Sequence, residues 1–199
     1  MPVVASVLNK IFGLRQRPAK LDKQYFLDKL RQVKEIHGQH PDLGSAIMTK
    51  YLLITKDFKD RESETLEWLS EIILDKNEKD AKYKQTAINC LYYSSHPGKM
   101  DILAKCLEEE PNPSIRSTVI SVAEKYDIEN NKLVPFDNRA IPILVKCLND
   151  NDQAVRWSAV HKLGMIGDLS TLEVLEACKD KPELTNIATS SIEKIKSRN

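Results

Sequence analysis

The block Ile102-Leu103-Ala104-Lys105-Cys106-Leu107 returns 41 positions later as Ile143-Leu144-Val145-Lys146-Cys147-Leu148. Beyond each copy, Ser114-Ile115-Arg116-Ser117-Thr118-Val119 lines up with Ala154-Val155-Arg156-Trp157-Ser158-Ala159 at a spacing of 40, so one residue is lost in the turn. A further copy lies 29 positions on, where Val155, Ala159, Leu163 and Ile166 map to Leu184, Ala188, Ile192 and Ile195. Working back from the same four by 72 gives Tyr83, Ala87, Leu91 and Ser94. A unit this short cannot bury its own apolar face. It becomes stable only when neighbours stack on it, so the repeat predicts a solenoid before any other property is considered.

Each unit reads as two helices. Val155, Ala159, Leu163 and Ile166 keep the i, i+4, i+8, i+11 spacing of one buried helix face, with Val160 beside it. Asn112-Pro113 places a cap before a first-turn proline. Ser170–Glu173 and Asp180–Glu183 fit capping boxes, and Gly164 and Gly167 bracket a helix end. Leu21–Ile36, with Phe26, Leu30, Val33 and Ile36 on one face, and Pro41–Thr55 read as two more helices of a degenerate repeat. Composition agrees: only 6 Gly and 9 Pro in 199 residues, and 6% aromatics, argue against many short strands and hairpins. A hydrophobic content of 41% suits a folded chain. No apolar run approaches the roughly 20 residues of a membrane span.

Arg139 to Asp168 resembles a HEAT repeat of the short bacterial type. The residues that carry the resemblance are Asp150 in the inter-helix turn, Val155-Arg156, Ala159, Leu163-Gly164 and Ile166-Gly167-Asp168. It is strong over 139–168, fair over 98–127 and 169–197, and weak over 63–95. It implies an all-α fold, an α-solenoid of HEAT-like helical pairs spanning 21–199. It also implies a ladder between repeats, with Asp150 and Arg156 in one unit and Glu110 and Arg116 in the preceding one. Lys84 is a poorer match to the ladder cation, and Thr185 breaks the ladder in the last unit.

The formal charge of +1 removes the global electrostatic case for nucleic acid, although the charge is uneven. Residues 1–20 hold Lys10, Arg15, Arg17 and Lys20 with no acid, while residues 61–111 hold 7 bases and 11 acids. Within the first segment Val3, Val4, Val7, Leu8, Ile11 and Phe12 form an apolar helical stripe. Such an amphipathic basic helix fits either a cap on the open end of the solenoid, the preferred reading, or a peripheral contact with an anionic membrane. Residues 128–138 form the longest apparent connection, either a tolerated insertion or a functional loop.

Trp157, His161 and Met165 recur every fourth residue on the non-core face of their helix. Their equivalents are Ser117, Ser121 and Lys125, then Asn186, Ser190 and Lys194, and in the first unit Gln85, Asn89 and Tyr93. Arrays of this family commonly turn their second helices inward. The resemblance therefore implies a concave surface on which Trp157, His161, Met165, Tyr93, Asn89, Lys125 and Lys194 meet a protein partner. The alternative for Trp157 is packing against a neighbouring repeat or the 128–138 connection.

Cys90, Cys106, Cys147 and Cys178 stand singly, without metal-ligand spacing and without a secretory signal, which favours reduced thiols in the cytoplasm. Cys106 and Cys147 share one repeat position, as expected of a core slot. His37 and His40 lack the companions zinc requires, and no nucleophile elbow, H-E-x-x-H or phosphate loop is present. The sequence therefore predicts no catalytic residue, no metal and no cofactor, and a protein-binding scaffold or adaptor. Two other classes share the repeat: enzymes or lyase-related proteins, resembling DNA glycosylases or bilin lyases, and immunity or regulatory partners that block one target.

Overall fold

A computed structural model describes residues 22–39, 61–127, 129 and 132–198 of the chain. The predicted N-terminal helix within 1–20 and the predicted helix Pro41–Thr55 lie outside the described residues. Among those described, the order is α1 (Lys23–Gln39), α2 (Glu62–Ile73), α3 (Ala81–Leu91), α4 (Lys99–Glu109), α5 (Pro113–Ser121), β1 (Glu124–Asp127), β2 (Lys132–Pro135), α6 (Ala140–Cys147), α7 (Gln153–Ile166), α8 (Leu172–Cys178) and α9 (Thr185–Arg198). Helices pair as α2–α3, α4–α5, α6–α7 and α8–α9, and the second helices stack in a row, α3 on α5, α5 on α7 and α7 on α9. The fold is an all-α repeat fold with one small hairpin inserted.

The row is built from the repeated apolar stripe. Val155, Ala159, Leu163 and Ile166 are buried, as are Leu184, Ala188, Ile192 and Ile195, and Ile115, Val119 and Ala123. In α3 the stripe is Tyr83, Ala87 and Leu91, and Ser94 falls beyond the helix end. α1 joins the row by packing on α3, burying Phe26, Leu30 and Val33, with the Phe26 ring 5.5 Å from that of Trp68. Small residues set the spacing. Gly164 lies inside α7 rather than at its end, and a Cβ there would stand 2.9 Å from the Ser191 Cα of α9. Gly167 does end the helix, its N–H donating to the Leu163 carbonyl at 2.7 Å.

Capping separates the two helix sets. The second helices α3, α5 and α7 start at Asp80, Asn112 and Asp152, whose side chains accept backbone N–H groups of the first turn. The first helices α2, α4, α6 and α8 have no side-chain cap of this kind. The expected boxes in the last unit do not form. Asp168, not Ser170, accepts the Ser170 N–H and leads into a short 3-10 turn. Residues 181–184 are a turn, and α9 begins only at Thr185, whose hydroxyl donates to the Lys181 carbonyl. Glu183 is engaged by Arg156 instead. Between α3 and α4 the turn is held by Glu62 of α2, which accepts hydrogen bonds from the Ser94 hydroxyl and the Ser95 and His96 N–H groups.

The 128–138 connection is not a simple loop. It belongs to an antiparallel hairpin in which Glu124 faces Pro135, Lys125 faces Val134 and Tyr126 faces Leu133. The Phe136 N–H extends the pairing to the Ala123 carbonyl at 3.1 Å. Helix α5 stops after nine residues, where β-branched Val119, Ile120 and Val122 lead into the strand alternation of buried Glu124 and exposed Lys125.

Gly164→Ala should destabilise the protein although alanine favours helix, because the clash involves Ser191 backbone as well as a flexible side chain. A loss of about 1–3 kcal/mol in urea unfolding is expected, and an unchanged or raised midpoint would show that the α7–α9 contact is looser than described. Asp152→Ala should cost about 1 kcal/mol by removing the α7 cap.

Candidate interaction face and its polar framework

The second helices α3, α5 and α7 each carry a cation that bridges to the next turn. Arg116 donates from Nε and Nη2 to the Asp150 carboxylate at 2.9 and 2.7 Å, while its Nη1 holds the Glu110 and Pro111 carbonyls of its own turn at 2.9 Å. Arg156 repeats the pattern one unit on, with Nη1 on the Asp150 carbonyl at 2.9 Å. Its Nη2 reaches Glu183 at 2.6 Å. Lys84 reaches Glu110 at 2.9 Å with both side chains buried, and Lys34 of α1 reaches Asp80 at 2.8 Å. The poorer match at Lys84 thus still makes the contact. Thr185 ends the row of cations, but the acid side of the ladder continues into the last unit through Glu183, 27 residues after Arg156 instead of the 34 that separate Arg116 from Asp150. That change of spacing hides Glu183 from a fixed-period alignment.

Asp150, Asp80 and Glu183 titrate low. For Asp150 burial works upward, but hydrogen bonds from Arg116 and from the Asp152 N–H outweigh it and hold the carboxyl below its usual value. Hydrogen bonds from Lys34 and Arg156 chiefly lower Asp80 and Glu183. Carboxyls lowered in the folded state stabilise it above their unfolded values near pH 4 and lose that contribution as the pH falls through the folded values. Asp150→Asn should therefore flatten the acid-unfolding profile below about pH 4 while lowering the Tm at pH 7. A variant that keeps the wild-type acid profile would contradict this assignment.

On the face opposite the core, the outer positions of the second helices are Gln85 and Asn89, Ser117 and Ser121, Trp157 and His161, and Asn186 and Ser190. Gln85 bridges α3 to α5 through Ser114 Oγ and Thr118 Oγ1 at 2.9 and 3.2 Å. Trp157 is 44% exposed and lies nearly parallel to His161, with ring centroids 5.3 Å apart and planes inclined by 12°. Burial, with help from Lys194 and Lys162, lowers the His161 pKa below 6.5 against the pull of Glu124, so the stacked imidazole is neutral at pH 7. Met165 is half-buried and packs against the core. Of the expected site residues, Trp157 and His161 stand together on α7, and Lys194 is exposed on the neighbouring α9.

Two members do not sit on helices. Tyr93 follows the end of α3, edge-on to Tyr92 at 5.2 Å, and Lys125 lies in β1, 5.9 Å from the Phe136 ring. The repeat offsets placed them by assuming helices as long as α7, whereas α3 and α5 are 11 and 9 residues long against its 14.

The hairpin covers charged groups that no motif signals. Lys162 of α7 pairs with Glu124 at 2.6 Å and donates to the Ser121 carbonyl at 3.1 Å, tying α7 to the end of α5. Lys99 at the start of α4 is fully buried. Its Nζ makes no hydrogen bond among the described residues and lies 4.2 Å from the Phe136 ring centroid. Burial pulls its pKa down to about 7 against Glu124 and Asp137, with Lys125 adding to the fall. The amine favours its charged form in the unfolded chain up to about pH 10. Folding thus carries the full penalty below pH 7 and sheds it as the pH rises toward 10. Wild type should gain stability relative to Lys99→Met between pH 7 and 10, and parallel urea midpoints across that range would exclude a desolvated amine.

The four cysteines are buried and unpaired, and desolvation raises their thiols, Cys106 to about 12 and Cys147 to about 11. Among the described residues no group of three or more His, Cys, Asp or Glu side chains is placed to hold a metal. The side chains of His37 and His40 lie outside the described residues. No helix of the described residues is long and apolar enough to cross a membrane.

Residues 131–193 match the family model for HEAT repeats, a span that runs from the hairpin through α6, α7 and α8 into α9. Comparison with curated proteins gave no match.

Proposed function

We propose, from the match of residues 131–193 to HEAT repeats, whose stacked helix pairs generally scaffold contacts between proteins, that the chain is a non-enzymatic adaptor. Its partner docks on the face made by the second helices, which this reading takes as the concave one. The observation that carries it is the exposed Trp157 stacked on His161 in the middle of that face. An indole held flat against a neutral imidazole presents a large, preorganised apolar surface at little conformational cost, and such anchors dominate protein interfaces. Met165 lies one turn beyond His161 on α7, Lys194 on the neighbouring α9 and Asn89 on α3 offer polar contacts along the face, and the ladder of Glu110, Arg116, Asp150 and Arg156 keeps the helices in register. Tyr93 and Lys125 extend the surface past the helix ends. Buried single cysteines fit a reducing cytoplasm.

Residues 1–20 we assign as a cap on the first helix pairs. Deleting them should lower the Tm; an unchanged Tm with loss of binding to anionic vesicles would assign them to a membrane instead.

Quantitative affinity capture tests the adaptor reading. Trp157→Ala should deplete a specific partner roughly thirty-fold, equivalent to about 2 kcal/mol, without lowering the Tm. Leu169→Ala, at another large exposed apolar side chain, should leave capture intact. Equal capture by wild type and Trp157→Ala would refute the anchor.

A further inference from the structure

Charge in this molecule is sorted by helix layer. Among the described residues the first helices α2, α4, α6 and α8 hold nine acids and three bases, whereas the second helices α3, α5, α7 and α9 hold eight bases and one acid, Glu193. Alternation of charge along the chain would mix the signs on both layers. Here one layer is acidic and the other nearly free of carboxylates, and the outer stripe from Gln85 to Ser190 contributes none.

The second-layer bases fall into two sets. Lys84, Arg116, Arg156 and Lys162 pair with carboxylates in the framework, and Arg198 donates to the Gly164 and Gly167 carbonyls at 2.7 and 2.9 Å. Lys82, Lys194 and Lys196 are exposed. Lys194 matters most, because it is exposed on α9, the helix packed against α7, at the repeat position that corresponds to Met165, one turn beyond His161.

We propose, resting on the docking reading above, that this face takes an acidic segment of a partner protein: an apolar side chain seated on the Trp157–His161 stack, with a carboxylate on Lys194. The acidic first layer repels such a segment and the carboxylate-poor second layer admits it, so the two layers orient the approach. The chain's own residues 1–20 do not fit, since they carry four bases and no acid. A nucleic-acid backbone fits poorly as well. The guanidinium forks of Arg116 and Arg156, the groups best suited to phosphate, are closed on the ladder acids and on backbone carbonyls.

A displayed library of random peptides, selected on the wild-type protein and counter-selected on Trp157→Ala, tests this directly. Enriched peptides should carry net negative charge, weaken with added salt, and lose roughly ten-fold or more in affinity on Lys194→Glu, by fluorescence anisotropy. Lys105→Glu, a charge reversal on the first layer, should leave affinity unchanged. Neutral or basic winners, indifference to Lys194→Glu, or tighter binding of a DNA duplex would each overturn the acidic-partner inference while leaving the Trp157 docking site standing. If no peptide survives counter-selection, the docking site at Trp157 itself falls, and this inference with it.

Discussion

The close stacking of the second helices is the contact everything else depends on. Helix α7 sits between α5 and α9, and its Gly164 lets α9 approach nearly to backbone contact. Because apolar burial acts without direction, it fixes that the helices meet but not at which height along their axes. The ladder supplies the height. Arg116 and Arg156 each hold the carbonyls of their own turn and the acid of the next, so sliding one helix pair against another breaks a charge-assisted set of hydrogen bonds, and leaving such partly buried charges unpaired is costly. With register fixed, the outer positions of four helices align into one surface.

The hairpin is where the repeat gives way. Between the second and third units the chain inserts two short strands in place of a longer α5, and covers Lys99, Glu124 and Lys162. The Lys162–Glu124 pair joins α7 to the start of the hairpin, while Lys99 rests on the Phe136 ring without a hydrogen bond. The hairpin lies beside the helix that carries the exposed tryptophan.

Much of this was legible in the sequence. The apolar stripe of α7 and its copies reads directly, because helical spacing and burial are two views of one periodicity. The caps at Asn112 and the ladder partners Arg116 and Asp150 follow from local turn chemistry repeated at a fixed offset. The same offsets failed at Tyr93 and Lys125. Helix length is decided by where tertiary packing stops rewarding another turn, and α3 and α5 stop early. Glu183 escaped because the spacing of its unit differs, and Lys34 because no motif marks α1.

What the sequence by itself determined is a stack of helical pairs, its buried stripe, and the outward placement of Trp157 and His161, since all of these depend on spacing within one helix or between copies. Only the tertiary structure decided that α9 packs beside α7 with Lys194 exposed on it, that an amine at position 99 is sealed under an aromatic ring, and that a hairpin replaces a loop. Those outcomes depend on which side chains of different elements meet across the space between them, and distance along the chain does not encode that meeting.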